Sequence, residues 1–150
     1  MKSGYQVADL VPHSGRMSLL SGIVDYGEGW LQAEVDITPE STFADADGVP
    51  AWIGLEYMAQ AIAAYSGLQE RRRGGSPKIG FLLGSRKYLC NAERFAIGQK
   101  IRVRVQPEVE GSNGLNVFNC ELRGDGIEAT ALVNVFQPDD VEEFLQDALQ

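Results

Sequence analysis

The sequence predicts an α+β fold in which an antiparallel sheet of about six strands wraps around one long helix. Three observations lead to this prediction. The chain has 150 residues, the usual length of one domain. Segments of alternating apolar and polar residues stand both before and after a single segment of helical spacing. Glycine-rich turn signals separate the alternating segments. We therefore expect residues 1–150 to form a single domain.

Two strands are expected before the helix. In "WLQAEVDI" the apolar Leu31, Ala33 and Val35 alternate with polar neighbours, which is typical of a strand that is buried on one face. The preceding "RMSLLSGIVDY" is joined to it by the turn signal "GEG". Together the two segments predict a hairpin.

The helix is predicted from the change of spacing that follows Pro50, a residue suited to a first helical turn. Apolar residues then recur at intervals of three and four, and the pattern ends near Arg73, before Gly74 and Gly75. They are Leu55, Met58, Ala59, Ile62 and Tyr65. Because apolar and small residues occupy most of the helix circumference, other parts of the protein should cover the helix on most sides.

Four further strands and a short C-terminal helix are expected after this point. The strand segments are "KIGFLLGSRKYLC", "QKIRVRVQPEVE", "GLNVFNCELRG" and "ATALVNVFQ". Apolar residues on one face predict the last helix over about 138–149. One long helix covers a six-stranded sheet poorly, so we expect the chain to pair with a second copy as a dimer.

Composition and charge exclude several classes of function. The net charge is −8 and the pI about 4.6, which disfavours a nucleic-acid partner. Two cysteines and one histidine make neither a disulfide framework nor a metal-ligand cluster, so we expect no bound metal. No apolar run is long enough to span a membrane and the N-terminus has no secretory pattern. We expect a cytoplasmic protein with reduced thiols.

Basic residues are concentrated in one part of this acidic chain. They are Arg71, Arg72 and Arg73 at the helix end, with Arg86 and Lys87 in the following strand. A local basic patch suits an acidic docking partner. A solvated helix end explains the arginine run equally well.

Glu56 is the candidate catalytic residue. It lies in the first turns of the helix, and its neighbours at i−4, i+3 and i+7 are Trp52, Ala59 and Ala63, which is unlike a solvated helix face. A carboxylic acid that is shielded from water is able to donate a proton and take one back. Gln60, one turn further on, is placed to orient it by a hydrogen bond.

Two other residues have a structural and a functional interpretation. His13 is the only histidine, and its ordinary pKa suits a general base near neutral pH, although a histidine before the first strand also suits a purely structural role. Gly54 leaves space in the first helical turn. That space would admit either a ligand carbonyl close to free N–H groups or tight packing against the sheet.

Several segments resemble the hotdog-fold 3-hydroxyacyl-ACP dehydratases. "VPAWIGLEYMAQAIAAYSGL" is similar to the central-helix motif of that family, with Pro50 and then Glu56 followed by Met58-Ala59-Gln60. "LVPHSGRMSLLSGIVDY" resembles the family's entry into the first strand, and "FAIGQKIRVRV" a later strand. The helix block and "IGFLLGSRKYLC" look most similar to the aryl-polyene biosynthesis subgroup.

The resemblance implies an activity, a carrier and site residues. It implies a hotdog dimer with active sites at the interface, in which the helix acid, here Glu56, protonates the departing C3 hydroxyl. It also implies a backbone N–H near Gly54 that polarises the thioester carbonyl, and a tunnel that Phe81 lines unless Phe81 is plain core. The acyl chain would be carried on the phosphopantetheine of an acyl carrier protein, with no other cofactor. The basic patch would dock that carrier.

One departure from the family leaves the identity of the catalytic base undetermined. The family's histidine precedes the helix, where this chain has "STFADADGVP". Three outcomes follow: His13 serves as the base, a heterodimer partner supplies the histidine, or the chain is a non-catalytic acyl-ACP-binding subunit. A hotdog thioesterase, in which the helix carboxylate activates water, is the enzymatic alternative.

Overall fold

The computed structural model of the chain describes residues 6–7, 18–72, 74, 81–111 and 114–136. The helix predicted over 138–149 lies outside these residues and stays a prediction. Within the described part, one long helix and an antiparallel sheet form a single hydrophobic core. No helix in this part combines the length and apolarity needed to cross a bilayer.

The main sheet has six strands, all paired antiparallel, as predicted. The strands are β1 (Gly22–Gly27), β2 (Trp30–Asp36), β4 (Phe81–Cys90), β6 (Lys100–Glu110), β7 (Leu115–Gly124) and β8 (Ile127–Phe136). Their spatial order is β1-β2-β6-β7-β8-β4, so β1 and β4 are the edges.

Alternation along the strands sets which face is buried. Leu31 and Ala33 on β2 are fully buried, and so are their partners Val105 and Val103 on β6. Their polar neighbours, such as Arg102 beside Val103, face outward. Because side chains alternate along a strand, this register keeps the apolar set of both strands against the helix.

The helix α1 (Gly54–Arg72) packs on the inner face of this sheet. A 3₁₀ turn (Ala51–Ile53) precedes it, so regular α geometry begins three residues later than Pro50 alone suggests. Gly74 ends it as expected: its φ is +80° and its N–H donates to the Arg71 carbonyl at 3.0 Å. A residue at positive φ after a helix is the common αL cap.

A second, two-stranded sheet was not predicted from the sequence. Its strands are β3 (Val49–Pro50) and β5 (Arg94–Phe95), with Val49 paired to Phe95. The Ala51 N–H continues this connection by donating to the Glu93 carbonyl at 2.9 Å. These short strands therefore attach the beginning of the helix to the segment that follows β4.

Candidate active site

Glu56 lies in the first turn of α1 and is partly buried. Its Oε1 accepts a hydrogen bond from Gln60 Nε2 at 3.2 Å. The pair spans one helical turn, the separation at which side chains on a helix face each other. The predicted orienting contact between these two residues is present.

Gln60 is fully buried, and it is the one polar side chain in the described core. Its Oε1 accepts the backbone N–H of Leu19 at 2.8 Å. Since a backbone N–H only donates, this bond fixes Oε1 toward Leu19 and turns the Nε2 donor toward Glu56. The carboxylate is thus held by an amide whose own orientation is set by the chain entering β1.

We expect Gln60→Met to lower the free energy of unfolding by about 1–3 kcal/mol, because it removes both hydrogen bonds and leaves the Leu19 N–H without this acceptor. Gln69→Met is the matched control: Gln69 also donates from Nε2 to a side chain one turn earlier, Tyr65 Oη at 2.8 Å, but is partly exposed. Chemical denaturation of both variants measures the difference. Equal losses of unfolding free energy in the two variants would show that the burial of Gln60 does not add to the stability its hydrogen bonds provide.

Gly54 is buried at the first residue of α1. A Cβ there would lie 2.3 Å from the hydroxyl oxygen of Tyr88, and within 3.2 Å and 3.3 Å of Leu122 and Phe95. These contacts support the tight-packing interpretation of this glycine; a ligand carbonyl beside it stays a prediction. Tyr88 itself was missed by the sequence analysis, which treated its strand only as a regular alternating segment.

A cavity of about 390 Å³ is lined by two neighbours of this pair of residues, but not by Glu56 or Gln60 themselves. Leu19, whose N–H binds Gln60, and Tyr57, the neighbour of Glu56, both line it. Hydroxyl and carboxylate side chains make up much of the remaining wall: Ser18, Ser21, Asp36, Glu40, Ser41 and Thr42. Burial raises the pKa of Tyr57 to about 12, so its phenol is protonated throughout the physiological range.

The residues predicted to dock a carrier are only partly described. Arg71 and Arg72 are exposed at the far end of α1, about 22 Å along the helix axis from Glu56. The Arg72 guanidinium lies 5.4 Å from the centre of the Tyr26 ring. Lys87 is exposed on β4. Arg73 lies outside the described residues, and the Arg86 side chain is likewise undescribed.

Two other predicted site residues cannot be placed around Glu56. His13 lies outside the described residues. Phe81 begins β4 opposite Phe136, but its side chain is not described. Their roles at the base and in the tunnel therefore stay predictions.

A six-stranded antiparallel sheet around one central helix is the hotdog fold, as the motif resemblance implied. The acid in the first turn of that helix is the feature on which the dehydratase resemblance rested. Residues 5–146 match the family model of the ApeP dehydratases. The chain belongs to the ApeP dehydratase family, which confirms the predicted dehydratase assignment.

Solved structures support this placement. A chain of the dehydratase heterocomplex ApeI:P from Xenorhabdus doucetiae superposes with a TM-score of 0.87 at 26% identity, covering 97% of this chain and 99% of that one. A sequence comparison with curated proteins returns no match.

More distant matches include one protein described as a hypothetical thioesterase and one from a degradation operon. A hypothetical thioesterase from Streptococcus pneumoniae with coenzyme A matches with a TM-score of 0.55 at 14% identity, covering 77% of this chain and 83% of that one. The E. coli PaaI protein of a phenylacetic acid degradation operon matches at 0.58 and 13%, covering 77% of each chain. At such identities the likeness shows the fold alone.

Proposed function

We propose that this chain is the Glu56-bearing subunit of a heteromeric dehydratase that acts on 3-hydroxyacyl thioesters carried by an acyl carrier protein. The observation that carries the proposal is the acid at the start of the central helix, oriented by a fully buried amide. Its family membership supports the reaction. No cofactor is needed beyond the carrier's phosphopantetheine, since elimination of water requires only an acid and a base.

The chemistry assigns one proton transfer to this chain. A base removes the proton from C2, and the electrons of that C–H bond form the C2–C3 double bond. The C3–O bond breaks, and Glu56 supplies the proton that makes the leaving hydroxyl water. General acid and base groups placed in this way each contribute about 10²–10⁴-fold to the rate.

We place the base on a second hotdog subunit. The segment before the helix holds no histidine, and the chain has only one, at position 13. The matched dehydratase structure is a heterocomplex, which supports a partner of a different sequence. In such an arrangement one chain supplies the acid and the other supplies the imidazole.

The surface near the helix start suits such a partner. β4 is an edge strand, paired to β8 on one side and to no other strand of the described chain. Leu89 on this edge is 67% exposed, and Trp52, four residues before Glu56, is 65% exposed beside Phe43, with ring centres 6.3 Å apart. Unpaired edges and exposed aromatic side chains are features that a subunit interface covers.

The carrier is assigned to the basic residues by charge complementarity. Arg71 and Arg72 are exposed at the end of α1, whereas Lys87 is exposed next to Tyr88 on the β4 edge, toward the helix start. On a chain of net charge −8, an acidic carrier would be attracted to these basic positions, of which Arg71 and Arg72 are the ones that lie together.

Reconstitution tests this proposal. The purified chain, a histidine-bearing hotdog partner, and their mixture are each incubated with a 3-hydroxyacyl-pantetheine thioester, and enoyl product and free thiol are followed. We expect enoyl product from the mixture, far above either subunit alone, and His13→Ala to leave that rate unchanged. Turnover by this chain alone that is lost in His13→Ala would assign the base to His13. Release of free thiol would instead indicate a thioesterase, and no product from the mixture a non-catalytic subunit.

A further inference from the structure

Tyr88 joins the edge strand to the start of the helix that carries Glu56. Its hydroxyl donates a hydrogen bond of 2.6 Å to the carbonyl of Ala51, the first residue of the 3₁₀ turn. The Gly54 N–H donates to the same carbonyl, and the Ala51 N–H is bonded to Glu93. Both polar groups of the Ala51 backbone are therefore bound to the segment 88–93.

A β-bulge aims Tyr88 at this carbonyl. Arg86 pairs with Leu132 and Leu89 with Thr130, so two residues of β4, Lys87 and Tyr88, stand opposite the single Ala131. In a regular ladder Tyr88 would pair with Thr130, whose side chain is exposed on the outer face. The extra residue shifts the alternation and turns Tyr88 to the helix side.

The bulge has a conformational cost, which Lys87 bears. Its φ is +58°, one of two positive values among the non-glycine residues described. A non-glycine residue in this region is strained and persists only where its surroundings determine it. Such strain tends to occur near functional sites.

Gly54 is matched to the same contact. Its missing Cβ leaves the space that the Tyr88 oxygen occupies, since an added Cβ would be 2.3 Å away. Burial, and then the neighbouring Cys90 thiol and Tyr57, raise the pKa of Tyr88, so the phenol keeps the proton that it donates. Three separate features, the bulge, the phenol and the glycine, thus converge on the turn that precedes Glu56.

We propose that Tyr88 is a positioning residue for Glu56, which it serves by fixing Ala51 and with it the first turn of α1. The proposal rests on the proposed role of Glu56 as the acid. Proton transfer depends on the placement of the acid within a fraction of an ångström, so a loosened helix start should slow the chemical step more than substrate binding.

The test is Tyr88→Phe, which removes only the hydroxyl, assayed in the complex with the histidine-bearing subunit. We expect kcat to fall about tenfold with KM nearly unchanged. Tyr65→Phe, which removes the hydroxyl that Gln69 binds at the other end of the helix, is the control and should leave both constants unchanged. A change in KM alone, or equal losses in the two variants, would overturn the proposal.

A double-mutant cycle separates positioning from a merely structural role. In the Glu56→Gln background, the further change Tyr88→Phe should cost little, because the acid that Tyr88 positions is already gone. Additive losses would show that Tyr88 does not act through Glu56. Should Glu56→Gln alone leave kcat unchanged, it is the assigned function that fails.

The contact itself can be tested without activity. We expect Gly54→Ala to lower the melting temperature of the chain markedly, and Tyr88→Phe to restore part of that loss, since it removes the atom that the new Cβ would meet. We also expect faster amide hydrogen exchange at Gly54 and Leu55 in Tyr88→Phe. No rescue together with unchanged exchange would show that the hydroxyl does not hold the helix start.

Discussion

We expect Glu56→Gln to lower kcat of the dehydratase complex by about 10²–10⁴-fold, because the amide cannot supply the proton that the leaving hydroxyl requires. The replacement has nearly the same shape, and its Oε1 can still accept the hydrogen bond from Gln60 Nε2 that the carboxylate accepts at 3.2 Å. The fold and the amide network should therefore persist, so the loss reports on chemistry and not on unfolding.

The control for this variant is Glu70→Gln, which changes the same residue type on the same helix about 21 Å from Glu56 along its axis. Its rate should match the unmodified complex. Steady-state formation of the enoyl product, with thermal unfolding to confirm folding, measures both variants. A Glu56→Gln complex that turns over normally would remove the acid role and, with it, the assignment of this chain as a catalytic subunit.

The main sheet and the helix could be predicted from the sequence because each has a strong periodicity. Leu31, Ala33 and Val35 alternate, and the structure buries all three. The helix spacing likewise predicts Met58, Ile62 and Tyr65 as core, and all three are buried. Burial of one apolar face strongly favours folding, so the spacing of apolar residues determines whether a segment forms a helix or a strand.

The site was predictable in part for the same reason. The contact between Gln60 and Glu56 follows from their separation of one turn, whereas Trp52, one of the neighbours expected to shield the acid, is 65% exposed. The position of Tyr88 on the helix side of the sheet could not be predicted, because periodicity assumes a regular ladder. One extra residue at Lys87 changes which face every following side chain occupies. The break in alternation within "GSRKYLC" is the only signal of the bulge in the sequence. The short β3–β5 sheet was not predicted because each of its strands has only two residues, too few to show an alternating pattern.

The approach of Gly48 to β5 was also invisible in the sequence, where it is one glycine of a turn. Its φ is +116°, and an added Cβ would lie 2.2 Å from the Phe95 carbonyl oxygen and 2.9 Å from the Phe95 carbonyl carbon. Both atoms are backbone, so a rotamer change cannot relieve the clash. The pairing of Val49 with Phe95, which attaches the chain entering the helix, depends on this approach.

We therefore expect Gly48→Ala to lower the free energy of unfolding by about 3 kcal/mol or more, among the largest effects of a single substitution. Gly29→Ala is the matched control: its φ is +79° and an added Cβ meets nothing within 4 Å, so it should show only the backbone strain of about 1–2 kcal/mol. Denaturant unfolding of both variants gives the difference between them, which reports the clash together with the greater departure of Gly48 from the αL region. Equal losses would mean that β3 moves away from β5 without cost, and that the small sheet does not hold the start of the helix in place.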